Sequence, residues 1–300
     1  MGRNLIFKAT LLVVLMLLCV GVPIANGQVV NWTSPTTSHL EEVFMLNAND
    51  GWAVGGDIIH WDGTEWNLVT SPTTKWLYSV FMVNTDDGWA VGRDGVILRW
   101  DGTEWSTVTS PTTRSLFSVF MVNTDDGWAV GEYGAMLRWD GTEWSTISSP
   151  TTEYLSSMFM LNANDGWAVG PDGTILRWDG TDWSTVACPT SEWLRSVYMV
   201  STNDGWIVGY DDNDLYDNIL HWDGSEWSTV TSPTTTALLS VSMINADDGW
   251  AVGLFGTIAQ WTGTAWIPEF PTWTLMLLML VVFTVVIAVY KRRLIKAPTH

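Results

Sequence analysis

Cysteine is scarce: Cys19 and Cys188 are the only two in 300 residues. Cys19 falls in an N-terminal stretch that reads as a removable leader. Once that leader is gone Cys188 has no partner, so no intrachain disulfide holds the mature chain and a packed core must supply its stability. Basic residues are scarce as well, with 13 Lys plus Arg against 32 Asp plus Glu. Six of the 13 lie in residues 1–27 and 271–300, which contain no acid, so the segment between them sets seven bases against all 32 acids. Such a surface repels phosphate, which argues against a nucleic-acid partner. Histidine numbers only four, dispersed along the chain, and no Ser or Cys nucleophile has a base beside it in an established pattern. Between the two ends the apolar spacing of helices is also missing, and Gly recurs too often for them.

The ends themselves are apolar. Arg3 and Lys8 precede an uncharged run at 10–20, and Ala25-Asn26-Gly27 offers a small-x-small cleavage site, so residues 1–27 read as a signal peptide, with an uncleaved anchor as the rival. A second uncharged run, 274–290, is just long enough to span ~30 Å of hydrocarbon as a helix. Trp273 and Tyr290 flank it, and the basic tail 291–300 begins with Lys291-Arg292-Arg293, which the positive-inside rule places in the cytoplasm. Residues 28–267 are then expected outside the cell, joined to the span by a linker at 268–273.

What fills residues 28–267 is a repeat rich in tryptophan, of which the chain has 22. Asp-Gly-Trp begins at residues 50, 87, 126, 165, 204 and 248. A period near 40 built of short β-rich runs indicates a propeller or solenoid. One unit reads Ser79-Val-Phe-Met-Val83, Gly88-Trp-Ala-Val-Gly92, Val96-Ile-Leu-Arg-Trp100 and Glu104-Trp-Ser-Thr-Val108, each run bounded by Gly, Asp, Asn or Pro. Four antiparallel strands per unit make a propeller blade, so the expected fold is all-β, a six-bladed β-propeller. Trp89, Trp100 and Trp105 recur in register, as rings that fill the space between stacked blades would. An extra outer-strand candidate, Val29-Val30-Asn31-Trp32, could replace or accompany Ala265-Trp266-Ile267 in closing the ring.

The run Asp-Gly-Trp-Ala-Val-Gly, followed by Gly-x-Ile-Leu-Arg-Trp-Asp-Gly-Thr-x-Trp, resembles the YCF48-like and BNR (Asp-box) propeller repeats over about residues 38–267. YCF48-like proteins act as assembly factors for photosystem II, but the repeats resemble them in fold and carry no matching partner-specific motif. The turn Asp101-Gly102-Thr103-Glu104-Trp105 is one residue shorter than a sialidase Asp-box, which tells against sialidase chemistry. Pro268, Glu269 and Phe270, directly before the apolar run, resemble the PEF-type sorting signal of archaeal surface proteins. That likeness implies a sortase-type processing enzyme, and a plain membrane anchor is the alternative.

The six units also serve as an internal alignment. Two loop sets vary and lie on one face of the disc, while the opposite face repeats nearly constant acidic turns; rigid scaffolds carry function on such variable loops. The candidate ligand-binding residues are therefore Trp76, Arg114, Tyr133, Tyr154, Trp193, Tyr210 and Phe255. Aromatic rings near carboxylates suit a glycan, and an envelope protein is the other expected partner. The insertion at 211–217 supplies Asp211, Asn213, Asp214 and Asp217 as oxygen ligands for Ca²⁺, with a solvated acidic loop as the alternative. Asn31-Trp32-Thr33 is a glycosylation sequon. The expected function is a non-enzymatic, membrane-anchored surface binding module without an obligatory cofactor. The alternatives are an extracellular glycoside hydrolase and a purely structural envelope module.

Overall fold

The structure is a computed structural model that describes residues 34–211 and 216–268. The signal peptide, Asn31, Asn213, Asp214, Glu269, Phe270, the apolar run 274–290 and the basic tail lie outside the described residues. Packing divides the chain into Met1–Pro35 and Thr36–His300, and all the strands belong to the second unit.

Six four-stranded antiparallel sheets succeed one another in sequence order, so the fold is an all-β six-bladed propeller. Blades 1 to 6 occupy 40–69, 77–108, 116–146, 157–185, 193–230 and 238–268. Blade 2 shows the pattern: innermost strand Leu77–Asn84, then Asp87–Gly92, Ile97–Trp100 and outermost Trp105–Val108. The outermost strand of blade 6 is Trp266–Pro268, so that position is filled by the C-terminal end of the repeat region. Pro268, read in the sequence as part of a sorting motif, is thus the last residue of a strand.

The repeated residues divide into two tasks. The first is to hold blade against blade. Trp89, fully buried in the second strand of blade 2, packs 4.8 Å from Trp139 and 5.4 Å edge-on to Trp144 of blade 3. The same pair of contacts recurs from Trp52, Trp128, Trp167 and Trp206 to the following blade. Near the axis Phe44, Phe81, Phe120, Phe159 and Tyr198 form a row with centroids 4.7–5.1 Å apart. Interblade hydrogen bonds run alongside: Val119 N–H donates to Ser79 Oγ at 3.1 Å, and the pattern repeats at Ser118, Ser157 and Ser196. Blade 1 has Glu42 in this slot, accepting the Val80 N–H at 2.7 Å.

The second task is to hold strands within a blade, and it explains the constant face. The Asp of each Asp-Gly-Trp accepts from a third-strand side chain: His60 to Asp50, Arg99 to Asp87, Arg138 to Asp126, Arg177 to Asp165, His221 to Asp204 and Gln260 to Asp248, at 2.8–3.2 Å. The Gly after it lies under a Met of the innermost strand, and at Gly88 a Cβ would overlap the Met82 sulfur. Each third-strand Trp donates its indole N–H to the turn between the first two strands, as Trp100 does to the Thr85 carbonyl at 3.0 Å. Asp101 Oδ1 accepts from Thr103 N, Thr103 Oγ1 and Glu104 N. Those bonds hold its pKa at about 2, and the equivalent bonds do the same for Asp62, Asp140 and Asp223.

Five interfaces carry an apolar cluster, and among the described residues none joins blade 6 to blade 1. Val43 and Met45 of blade 1 are 58% and 48% exposed, whereas their equivalents Val80 and Met82 are 1% and 2%. Blade 6 has Ser242 where every other blade puts an aromatic ring in the axial row. The serine ends the axial row on both sides, yet blade 5 still packs against blade 6 through the cluster around Trp206 and Trp266. The 18 register tryptophans reflect the open seam between blades 6 and 1, because Trp61, Trp66 and Trp250 beside it are only half-buried.

Trp89→Ala is expected to destabilise the domain by about 3–5 kcal/mol and Trp250→Ala by on the order of 1 kcal/mol, measured by urea unfolding. Acid should loosen the constant face, because carboxyls depressed to about 2 from 3.8 stabilise the fold above pH 3.8 and release it as pH falls toward 2. Glu42 has the opposite sign. Burial raises its pKa from 4.5 to about 7, opposed by hydrogen bonds with Ser79 and the Val80 N–H, so its contribution weakens folding as pH rises through that window. Asp101→Asn should therefore lose less stability than the wild type between pH 4 and 2, and Glu42→Gln should flatten the profile between 4.5 and 7.

Candidate functional site

The loop between the second and third strands, and the connection from each outermost strand to the next blade, emerge at the same end of every sheet. The variable residues therefore share one face. Their local backbone is built for display. In blades 2, 3 and 6 a single 3-10 turn comes after the second strand, and its central residue has positive φ: Asp94 at 57°, Tyr133 at 52° and Phe255 at 56°. Asp172 in blade 4 shares the conformation at 53°. Asp tolerates the left-handed region; a bulky aromatic is strained there by about 1–2 kcal/mol. Tyr133 and Phe255 are nonetheless 55% and 90% exposed, so the strain is not offset by burial.

Three of the candidate residues come together at the rim of blade 3. Arg114, in the connection into that blade, donates from Nη1 to the Tyr133 carbonyl at 2.9 Å, and its guanidinium lies 5.8 Å from the Tyr133 ring. Tyr133 packs edge-on to Tyr154 with centroids 5.1 Å apart. The phenols also share a hydrogen bond, which is the main cause of the upward shift in the Tyr154 pKa. Beside them a groove of about 580 Å³ is lined by Arg114, Tyr133, Met136, Thr112, Ser149 and Thr151. Hydroxyls, one guanidinium and an apolar floor can hold an extended polar chain by hydrogen bonds while covering its apolar side chains.

The other candidates stand apart. Trp76 donates its indole N–H to Glu41 at 2.9 Å and meets His39 edge-on at 6.1 Å. Trp193 stacks on its cross-strand neighbour Tyr210 at 6.0 Å, donates to Ser156 Oγ at 3.0 Å and carries Arg195 over its ring at 5.4 Å. Both tryptophans are thus engaged by neighbours and offer less free ring than the sequence leads one to expect. Phe255 touches no other ring among the described residues. Of the expected calcium ligands, Asp217 starts the third strand of blade 5, where its carboxylate accepts from the Ser232 and Thr234 hydroxyls. Among the described residues no group of His, Cys, Asp or Glu is arranged to hold a metal. Cys188 is half-buried, and burial pushes its thiol upward from 9.0.

Sequence reasoning alone misses an inner arc. Tyr78 and Phe117 pack 5.4 Å apart, and Phe117 reaches Tyr154 at 6.1 Å. Together with Tyr133 these rings form a continuous aromatic line across blades 2 to 4. Their signal is present in the repeat: the position after the constant Leu reads Glu41, Tyr78, Phe117, Ser156, Arg195 and Leu239, as variable as the loops themselves.

With this geometry in place, comparison with known proteins bears on the fold. No family model matches the chain, and no curated protein matches it. Among solved structures, one described as YCF48 bound to D1 peptide is similar at 18% identity and a TM-score of 0.65, covering 78% of this chain and 83% of that one. YCF48 from Cyanidioschyzon merolae is similar at 19% identity and a TM-score of 0.63, covering 79% and 87%. The expected YCF48 likeness therefore holds at the level of the propeller fold.

Because Phe255 makes no ring contact, Phe255→Gly should stabilise the domain by about 1 kcal/mol. Tyr133→Gly should gain less, since it removes the Tyr154 and Arg114 contacts. Urea unfolding of the two variants tests that ordering.

Proposed function

We propose that the chain is a non-catalytic binding module that takes a polypeptide segment across its variable face, centred on the groove beside Arg114, Tyr133 and Tyr154. The observation that carries this reading is a groove of about 580 Å³ lined by Arg114 and Tyr133, with Tyr154 packed edge-on against Tyr133 beside it. The aromatic line through Phe117 and Tyr78 extends the surface and gives an extended ligand a path toward the axis. Support of a general kind comes from the similar propeller solved with a peptide bound. The identity is low, so the site argument rests on this chain's own residues.

Catalysis finds little to work with in this arrangement. His60 and His221 each face the Asp of their own blade, in the slot where other blades have Arg or Gln. They belong to the register that holds each blade together and are not free to act as acid or base. We further propose that the module is displayed outside the cell and held by its C-terminal segment, with PEF-type processing of that segment as a refinement. Both rest on the sequence of the termini.

The test is a screen of the full chain in phosphatidylcholine nanodiscs against a random peptide library and a glycan array. Peptides enriched on the wild type should lose at least tenfold in affinity on Arg114→Ala/Tyr154→Ala, with unfolding midpoints preserved. Enriched peptides indifferent to that variant would contradict the proposal. Saturable glycan binding without peptide binding would move the assignment to a lectin.

A further inference from the structure

The chain leaves the propeller on the variable face. The outermost strand of blade 6, Trp266–Pro268, starts at the constant-face turn and runs toward the opposite rim, where Pro268 pairs with Ala259. Ile258, the first residue of the third strand, and the loop that carries Phe255 lie at that same rim. Only residues 269–273 separate Pro268 from the uncharged run that begins at 274. Five residues reach at most about 17 Å when fully extended. If 274–290 spans a bilayer, the variable face must stand close to the membrane surface, and the acidic turns must point away from it.

Blade 6 is dressed for that position. Val252, Phe255, Ile258 and Ile267 are 45%, 90%, 40% and 42% exposed. Val252 and Ile258 owe their exposure to the open seam, because their equivalents in the other five blades are buried against the following blade; Phe255 is the apolar side chain that the rim itself presents. The left-handed backbone at Phe255 holds the ring out from the rim rather than against the sheet. An apolar ring beside the chain's exit fits the boundary between lipid headgroups and acyl chains.

We propose that the variable-face rim of blade 6 rests on the lipid surface, with Phe255 inserted at the headgroup–acyl boundary beside the exit of the chain. The proposal rests on 274–290 being a membrane span and is independent of the groove at blade 3. It adds a restriction on the ligand of that groove: a partner reaching the variable face approaches along the membrane or is itself embedded in it.

The test uses the full chain, with Cys19 and Cys188 changed to Ser, reconstituted into palmitoyl-oleoyl phosphatidylcholine vesicles and washed with alkaline carbonate. An environment-sensitive NBD label is placed at Phe255→Cys or, on the constant face, at Thr103→Cys. The label at 255 should emit at shorter wavelength and be quenched several-fold more by brominated lipid than the label at 103. The label at 103 should respond mainly to aqueous iodide, and 1 M NaCl should leave the contrast intact. Equal quenching of both labels by iodide would overturn the proposal and leave the patch to a protein partner. Loss of the protein in the carbonate wash would overturn it differently, by removing the span on which it depends.

Discussion

The indole of each Asp-Gly-Trp is the constraint on which the other features depend. In blades 1 to 5 it sits in the second strand, closes against two more indoles of the next blade, and is fully buried at Trp89, Trp128 and Trp167. An aromatic pair of this kind adds about 0.5–1.5 kcal/mol beyond the area it buries. Repeated at five interfaces, it lets a propeller with no disulfide among its described residues keep a stable scaffold. It also fixes the local chemistry around itself. Gly must precede the Trp so that a Met can lie over the backbone, and Asp must precede the Gly to receive the Arg or His that covers the indole.

That division of labour explains why one face is monotonous and the other is not. On the constant face almost every repeated side chain already has a bond to make, from the Asp101 turn to the Trp100 indole and its Thr85 carbonyl. Substitution there would loosen a blade. On the variable face the backbone is held by its own connections, as where Glu132 N–H donates to the Ser115 carbonyl, so side chains such as Tyr133 and Phe255 are free to change. The strained backbone at those two residues shows stability given up for display.

Much of this is legible in the sequence. The period, the four runs per unit and the Gly and Asx turns specify blades, because strand and turn chemistry are local. Placing Arg114, Tyr133 and Tyr154 on one face needs only antiparallel alternation. The groove that Arg114 and Tyr133 share is not legible, since it depends on a rotamer of Arg114 that reaches a carbonyl 19 residues away. The engagement of Trp76 by Glu41 and of Trp193 by Tyr210 is hidden for the same reason. The open seam is not legible either: Ser242 departs from the aromatic register, yet blade 6 still packs against blade 5.

If neighbouring blades supply each other's stability, protection should track the interfaces rather than the strands. Amide hydrogen exchange of the full chain, read peptide by peptide, measures this directly. The account predicts the slowest exchange in the second and third strands of blades 2 to 5. It also predicts clearly faster exchange in the innermost strand of blade 1 and in blade 6, although their strand pairing is the same. Equal protection in all six blades would contradict it, and would mean that the ring closes through a sixth interface as strong as the other five.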